Sequence, residues 1–165
     1  MSKQPTGENQ ERIKALAGQA AERPQMEEAV KKALSQRVKE EPFARKMHIS
    51  LVELAEGYSL VEMTFTKDME NIFGMAHGGA IFALIDEAFE TASNSHGTMA
   101  VALNMNITYT AAPSPGVRLR AEARELSLTP RTATYDIKVT DESQNLIAVC
   151  QALVYRKKQR LPFLE

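Results

Sequence analysis

Asn71-Ile72-Phe73-Gly74-Met75-Ala76-His77-Gly78-Gly79 runs without a break into Ala80-Ile81-Phe82-Ala83-Leu84-Ile85-Asp86. The stretch reads as a glycine-rich loop opening a nearly all-apolar helix, with one carboxylate two turns inside it. A helix start offers unpaired backbone N–H groups and a partial positive charge. A carboxylate buried near it costs free energy unless something uses it. Amide donors beside a carboxylate suit acyl chemistry: the donors stabilise an oxyanion, and the carboxylate attacks or deprotonates water.

Strand patterns lie on both sides of that helix. Upstream, a strand is expected over Met47 to Leu54. After the Glu56-Gly57 turn a second is expected from Tyr58 to Thr66, with Val61, Met63 and Phe65 alternating with polar residues. The helix continues to about Asn94, and four strands follow. Met99 to Tyr109 alternates Val101, Leu103, Met105, Ile107 and Tyr109 against Ala102, Asn104, Asn106 and Thr108. Pro113 to Gly116 is a turn. Val117 to Leu126 and Thr132 to Thr140 alternate in the same way. Leu146 to Tyr155 is apolar on both faces, as a covered inner strand would be, and Arg156 to Arg160 reads as a basic tail. One apolar helix among antiparallel strands implies an α+β layer with the sheet wrapped round the helix. The sheet's remaining face points to a homo-oligomer, a twofold dimer being the commonest form.

Ahead of this unit, residues 1 to about 24 are polar and expected to be frayed or weakly helical. A helix is expected from about Pro24 to Glu41, with Met26, Val30, Leu34 and Val38 in one stripe and Pro42 as its stop. The 165 residues fit one domain, and 44% hydrophobic with 25% charged residues is ordinary for a globular protein. A net charge of −1 gives no general pull toward nucleic acid or an anionic membrane. No run approaches the roughly 18 apolar residues of a membrane span. The polar N-terminus lacks a signal-like apolar run, so a cytoplasmic setting is expected. The single cysteine, Cys150, makes neither an internal disulfide nor a cysteine metal site, and His48, His77 and His96 have no paired ligand spacing. No metal is expected.

Taken singly, each site residue has a plain alternative. In the central helix Glu87, Glu90, Thr91 and Asn94 form a polar stripe. Asp86 lies about 100° round from Glu87 at its edge, beside Phe82 and Phe89, where it either widens a solvated face or serves chemistry. Gly78-Gly79 marks a tight turn or a close approach to the sheet, His77 a cap, Asn71 a turn. The combined spacing of Asn71, His77 and Asp86 is the stronger signal.

With that spacing, the run from Asn71 through His77-Gly78-Gly79 to Asp86-Glu87-Ala88-Phe89, then Ala92 to Gly97, resembles the hotdog-fold acyl-CoA thioesterases. The phenylacetate-degradation (PaaI-like) branch matches best. Asn106-Ile107-Thr108-Tyr109, Pro113 and Ala121-Glu122-Ala123 extend the resemblance over about Phe43 to Tyr155. It implies a curved antiparallel sheet of about six strands round one long helix, over residues 46–160. The extra N-terminal helical extension, partly flexible, occupies 1–45. It also implies a cytoplasmic hydrolase needing no cofactor, with CoA as part of the substrate, in dimers with interfacial sites and commonly homotetramers. Carried over by position, Gly78 offers its amide to the thioester carbonyl, Asp86 of the facing subunit is nucleophile or general base, Asn71 holds the water or carboxylate, and His77 braces the loop. Gly79 and Phe82 adjoin the substrate, and Phe89, Met75 and Met105 are further candidates for an acyl pocket. Arg131 is the first candidate for the CoA phosphates, ahead of Arg124, Arg156 and Lys157. The chain departs from the pattern at Ala102, where relatives carry a small hydroxyl residue, and at Pro130, where they carry glycine. Alternatives on the same scaffold are a non-enzymatic acyl-CoA binding module and a hydroxyacyl-thioester dehydratase.

Overall fold

The computed structural model describes residues 26–164. The stretch expected to be frayed or weakly helical, with Pro24, lies outside them. In chain order come α1 (Glu28–Glu40), α2 (Pro42–Lys46), β1 (Ser50–Ala55), β2 (Tyr58–Thr64), a 3-10 turn (Lys67–Met69), α3 (Gly78–Asn94), β3 (Thr98–Tyr109), β4 (Arg118–Leu128), β5 (Thr132–Asp141) and β6 (Leu146–Arg160). The strands form one antiparallel sheet in the order β1-β2-β4-β5-β6-β3.

The sheet curls round α3 as the alternation requires. Val61 and Met63 of β2, Leu119 and Ala121 of β4, and Ile137 and Val139 of β5 are buried against Leu84, Ile85, Ala88 and Phe89 of α3. Each large apolar side chain buried in this way contributes roughly 1.5–3 kcal/mol. Phe89 meets Tyr135 edge to face at 5.4 Å. The Tyr135 hydroxyl donates to Glu125 Oε2 (2.8 Å), which also lies 2.6 Å from His96 Nε2, so the end of α3 is tied to β4 and β5. Gly57 turns the β1–β2 hairpin at φ +67°, where a side chain would also press on Glu125 Cβ at 3.0 Å.

Val30 and Leu34 of α1 pack on Leu54 and Leu161 in a second, smaller core. This lays α1 over β1, one of the two outer strands. The other outer strand, β3, has no strand beside it on its free side among the described residues.

Three expectations are corrected. The helix expected to stop before Pro42 does end at Glu40, but Pro42 then opens α2, where its missing N–H costs nothing, so the strand expected from Met47 starts only at Ser50. Arg156 to Arg160 is not a tail but the end of β6, paired with β3 through Ala100↔Arg156 and Thr98↔Arg160. The β3 alternation breaks at a bulge between Ala102 and Asn104, which changes the face of every residue beyond it. Ala100, Met105 and Ile107 pack on the core, while Val101, Leu103 (58% exposed) and Tyr109 are left uncovered.

Candidate active site

The loop before α3 is built by its own side chains. Asn71 Oδ1 accepts from the amides of Phe73 (2.9 Å) and Met75 (3.2 Å), and Asn71 N donates to Met75 O (2.7 Å). His77 is the N-cap of α3: its Nδ1 accepts from Gly79 N at 2.9 Å, which places the ring proton on Nε2. His77 N donates to Met69 O (2.9 Å) and fixes the loop to the 3-10 turn. Capping therefore consumes the Gly79 amide. Gly78 N–H has no acceptor among the described residues, so it is the donor left for a ligand. The Tyr109 hydroxyl donates to Gly78 O at 3.1 Å, and a Cβ at Gly78 would meet the Tyr109 ring at 3.3 Å. Gly78, Tyr109, Ile81 and Ala111 border a cleft of about 350 Å³.

Asp86 lies two turns on. Eight residues of helix set it roughly 12 Å along the axis from Gly78, so one protomer does not bring the two together. It is exposed, not buried as a lone carboxylate in an apolar helix would be. It borders a separate cleft with Phe89, Glu90, Val101 and Ala102. Partial desolvation raises its pKa above the usual carboxylate value, and the nearby Glu41 charge raises it further. Ala102 presents only a methyl group there.

The buried carboxylate is the neighbouring Glu87, 4% exposed. Most of the polar stripe read as a solvated face is covered: Thr91 and Asn94 are buried too, with the Thr91 hydroxyl 2.6 Å from that of Ser59 on β2, while Glu90 is exposed. Burial first, then the charges of Glu41 and Glu90, push the Glu87 pKa up to about 8.

The remaining candidates separate. Phe82 and Met75 are exposed beside the helix start, whereas Phe89 is a core residue and Met105 is half-buried. Arg124 pairs with Glu122 and stacks over Tyr58 at 5.0 Å, and Arg156 donates to Thr129 O at 2.8 Å. Arg131 is exposed at the β4–β5 hairpin, with no ion pair among the described residues. The strand register sets that hairpin beside Tyr155 and hence Val101, at the Asp86 end of the sheet. Tyr109 was not singled out as a site residue, because on a regularly alternating strand it reads only as a face residue.

Residues 73–148 match the family model of the thioesterase superfamily. Over 142 residues the chain is 39% identical to a putative esterase of Archaeoglobus fulgidus, spanning 86% of this chain and 90% of that one. The chain belongs to the thioesterase superfamily. Within that superfamily it is 33% identical over 113 residues to the acyl-coenzyme A thioesterase PaaI of Escherichia coli, spanning 68% of this chain and 81% of that one. The solved E. coli PaaI structure superposes on this thioesterase-superfamily chain with a TM-score of 0.78, at 27% identity over 82% of this chain and 98% of that one. The six-stranded sheet around α3 is the hotdog fold, as the resemblance implied. No described helix is long and apolar enough to cross a membrane.

Proposed function

We propose that this thioester hydrolase cleaves acyl-CoA to a free acid and CoA at two equivalent sites of a homodimer. In each, the Gly78 N–H of one protomer receives the thioester carbonyl. Asp86 of the other attacks the carbonyl carbon or takes a proton from the attacking water. In the first case CoA thiolate leaves an acyl–Asp86 anhydride, which water hydrolyses to free acid and carboxylate; in the second the water oxygen displaces the thiolate directly, and in both the thiolate takes up the proton that water gives. A preorganised amide donor is worth about 3 kcal/mol against the developing oxyanion. An ionised Asp86 acts without a partner histidine, and neither step needs a metal or organic cofactor. Asn71 holds the water through Nδ2, since its Oδ1 is committed to the loop.

The observation that carries this reading is where the two half-sites lie along the open edge strand. Gly78 is bonded to Tyr109 at one end of β3, and Asp86 borders Val101 and Ala102 at the other. Antiparallel pairing of two β3 edges about a twofold at Met105 sets Tyr109 opposite Val101. The free amide of one protomer then meets the carboxylate of its mate. The same pairing covers Val101, Leu103 and Tyr109, which are unusually exposed for apolar residues. Arg131 stands at the Asp86 end, and we assign it to the CoA phosphates.

Subunit complementation tests the shared site. Asp86→Asn and Gly78→Pro proteins, each inactive, are mixed, dissociated and reassociated. Half the dimers formed at random are mixed, and each of these holds one intact site, so about a quarter of wild-type turnover is expected to return. Proline keeps a helix-compatible φ at the first helical position while removing the N–H. No recovery, with mixed dimers demonstrated by mass spectrometry, would refute a site built across the interface.

The raised pKa of Asp86 sets a second expectation. The ionised form works, so kcat/KM falls as the pH drops through that pKa, and this acid limb lies above the ordinary carboxylate range. Glu41→Gln removes a like charge, favours ionisation and moves the limb to lower pH. An unmoved limb in the pH profile of the variant would count against Asp86 as the titrating group.

A further inference from the structure

Away from the Gly78 half-site, the face of α3 that shares a cleft with α1 carries a set of carboxylates that the hydrolysis does not use. Glu87 and Glu90 come from successive turns of α3, and Glu41 from the junction between α1 and α2. One carboxylate oxygen of each lies within 4.8 Å of the others. Glu87 is 96% buried, and its Oε1 has no hydrogen-bond partner among the described residues. An orphaned buried carboxylate oxygen is costly, and a positive ligand removes that cost. The three side chains border a cleft of about 530 Å³ between α1, α3 and the C-terminal segment, which leaves room for water ligands. Arg37 borders the same cleft, but its guanidinium lies over the Phe163 ring at 5.1 Å and 4.0 Å from Glu40.

We infer that Glu41, Glu87 and Glu90 bind one hard divalent cation, Ca²⁺ or Mn²⁺, with water completing its shell. The donors are all oxygen, which disfavours softer metals. Ca²⁺ takes oxygen ligands at about 2.3–2.6 Å in a flexible geometry, so oxygens up to roughly 5 Å apart share one ion. Mg²⁺, at about 2.0–2.1 Å and nearly octahedral, would require the set to contract. The backbone around the donors is already ordered: Arg45 N donates to Glu41 O at 3.1 Å, and Asn94 Nδ2 donates to Glu90 O at 2.9 Å. The ion would join α1 to the central helix. It is no reactant, and the inference does not depend on the hydrolytic mechanism.

The test uses the full chain, stripped with chelator and returned to buffer of fixed ionic strength. Ca²⁺ or Mn²⁺ at about 100 times its Kd should raise the wild-type Tm by roughly 5 °C or more, with a smaller rise for Mg²⁺. Equilibrium dialysis should find about one Mn²⁺ per chain. Glu87→Gln and Glu41→Gln should each lose most of the shift, while Asp86→Asn should keep it. Less than a tenth of an equivalent of Mn²⁺ on wild type would overturn the inference without any variant having to fold. So would equal Tm shifts in wild type and both glutamine variants, since the ion would then bind elsewhere.

Discussion

Asp86→Asn is expected to lower kcat by roughly 10³-fold or more, the scale seen when a group acting directly on the reacting atoms is removed. The side chain is exposed in the protomer and makes no hydrogen bond or ion pair among the described residues, so the fold does not rely on it. Asparagine keeps the shape and removes the charge. It neither attacks a thioester nor takes a proton from water. Thermal stability should change by no more than about 0.5 kcal/mol, the usual range for a surface change. Size-exclusion elution should match that of wild type. Thiol release from a panel of acyl-CoA substrates, assayed on matched samples, provides the measurement. A variant with a raised KM and an intact kcat would show Asp86 to be a binding residue only. Undiminished turnover across the panel would remove it from the mechanism.

The parts of the fold legible in the sequence are those fixed by local period. Alternation at two residues identified β2, β4 and β5, since each shows one face to α3 and the other outward. The loop and α3 were legible because glycine, a capping histidine and an apolar run are each tied to a local backbone need. What failed depends on neighbours distant in the chain. Arg156 to Arg160 has no apolar face, and it is a strand because the backbone of β3 pairs with it. The bulge near Leu103 leaves the composition of β3 unchanged while exchanging its faces, so counting alternate residues put Val101 and Met105 together. The periodicity of α3 disclosed a stripe of Glu87, Glu90, Thr91 and Asn94, but not that Ser59 of β2, some thirty residues earlier, would meet Thr91 and leave only Glu90 of the four exposed.

The candidate site divides along the same line. His77 and Gly78 have local work, capping and an unspent amide, and both stand out in the sequence. The residue type of Asp86 was equally visible, but whether it was enclosed or lay on a solvated face was not. An apolar helix allows either for a lone carboxylate, and α3 turns it toward an open cleft beside Ala102 and directs Glu87 inward instead. Only the three-dimensional positions along β3 show that Gly78 and Asp86 sit at opposite ends of one edge, the arrangement on which the proposed shared site rests.

Glu87→Gln is expected to make the protein more stable as the pH rises, by an amount on the order of 2–4 kcal/mol at pH 9 in buffer containing chelator. Burial holds the native pKa near 8, above the ordinary 4.5 taken for the unfolded chain. Below about pH 4.5 both states carry the proton and the group is neutral in each. Between pH 4.5 and 8 the native state keeps a proton that the unfolded state has lost, so stability declines as the pH rises. Above pH 8 the native protein holds a buried charge beside Glu41 and Glu90, and the full cost is felt. Glutamine has the same shape without the charge, so its stability should change less across that window. Urea midpoints for wild type and variant at pH 5, 7 and 9 give the comparison. The two should nearly coincide at pH 5 and separate at pH 9, with the variant higher. Parallel curves would mean that Glu87 ionises in the native state as it does in water, and that the carboxylates at the α1–α3 contact do not strain it. Adding Ca²⁺ at pH 9 should then bring the wild-type midpoint up toward that of the variant, because a cation relieves the same charge that the substitution removes.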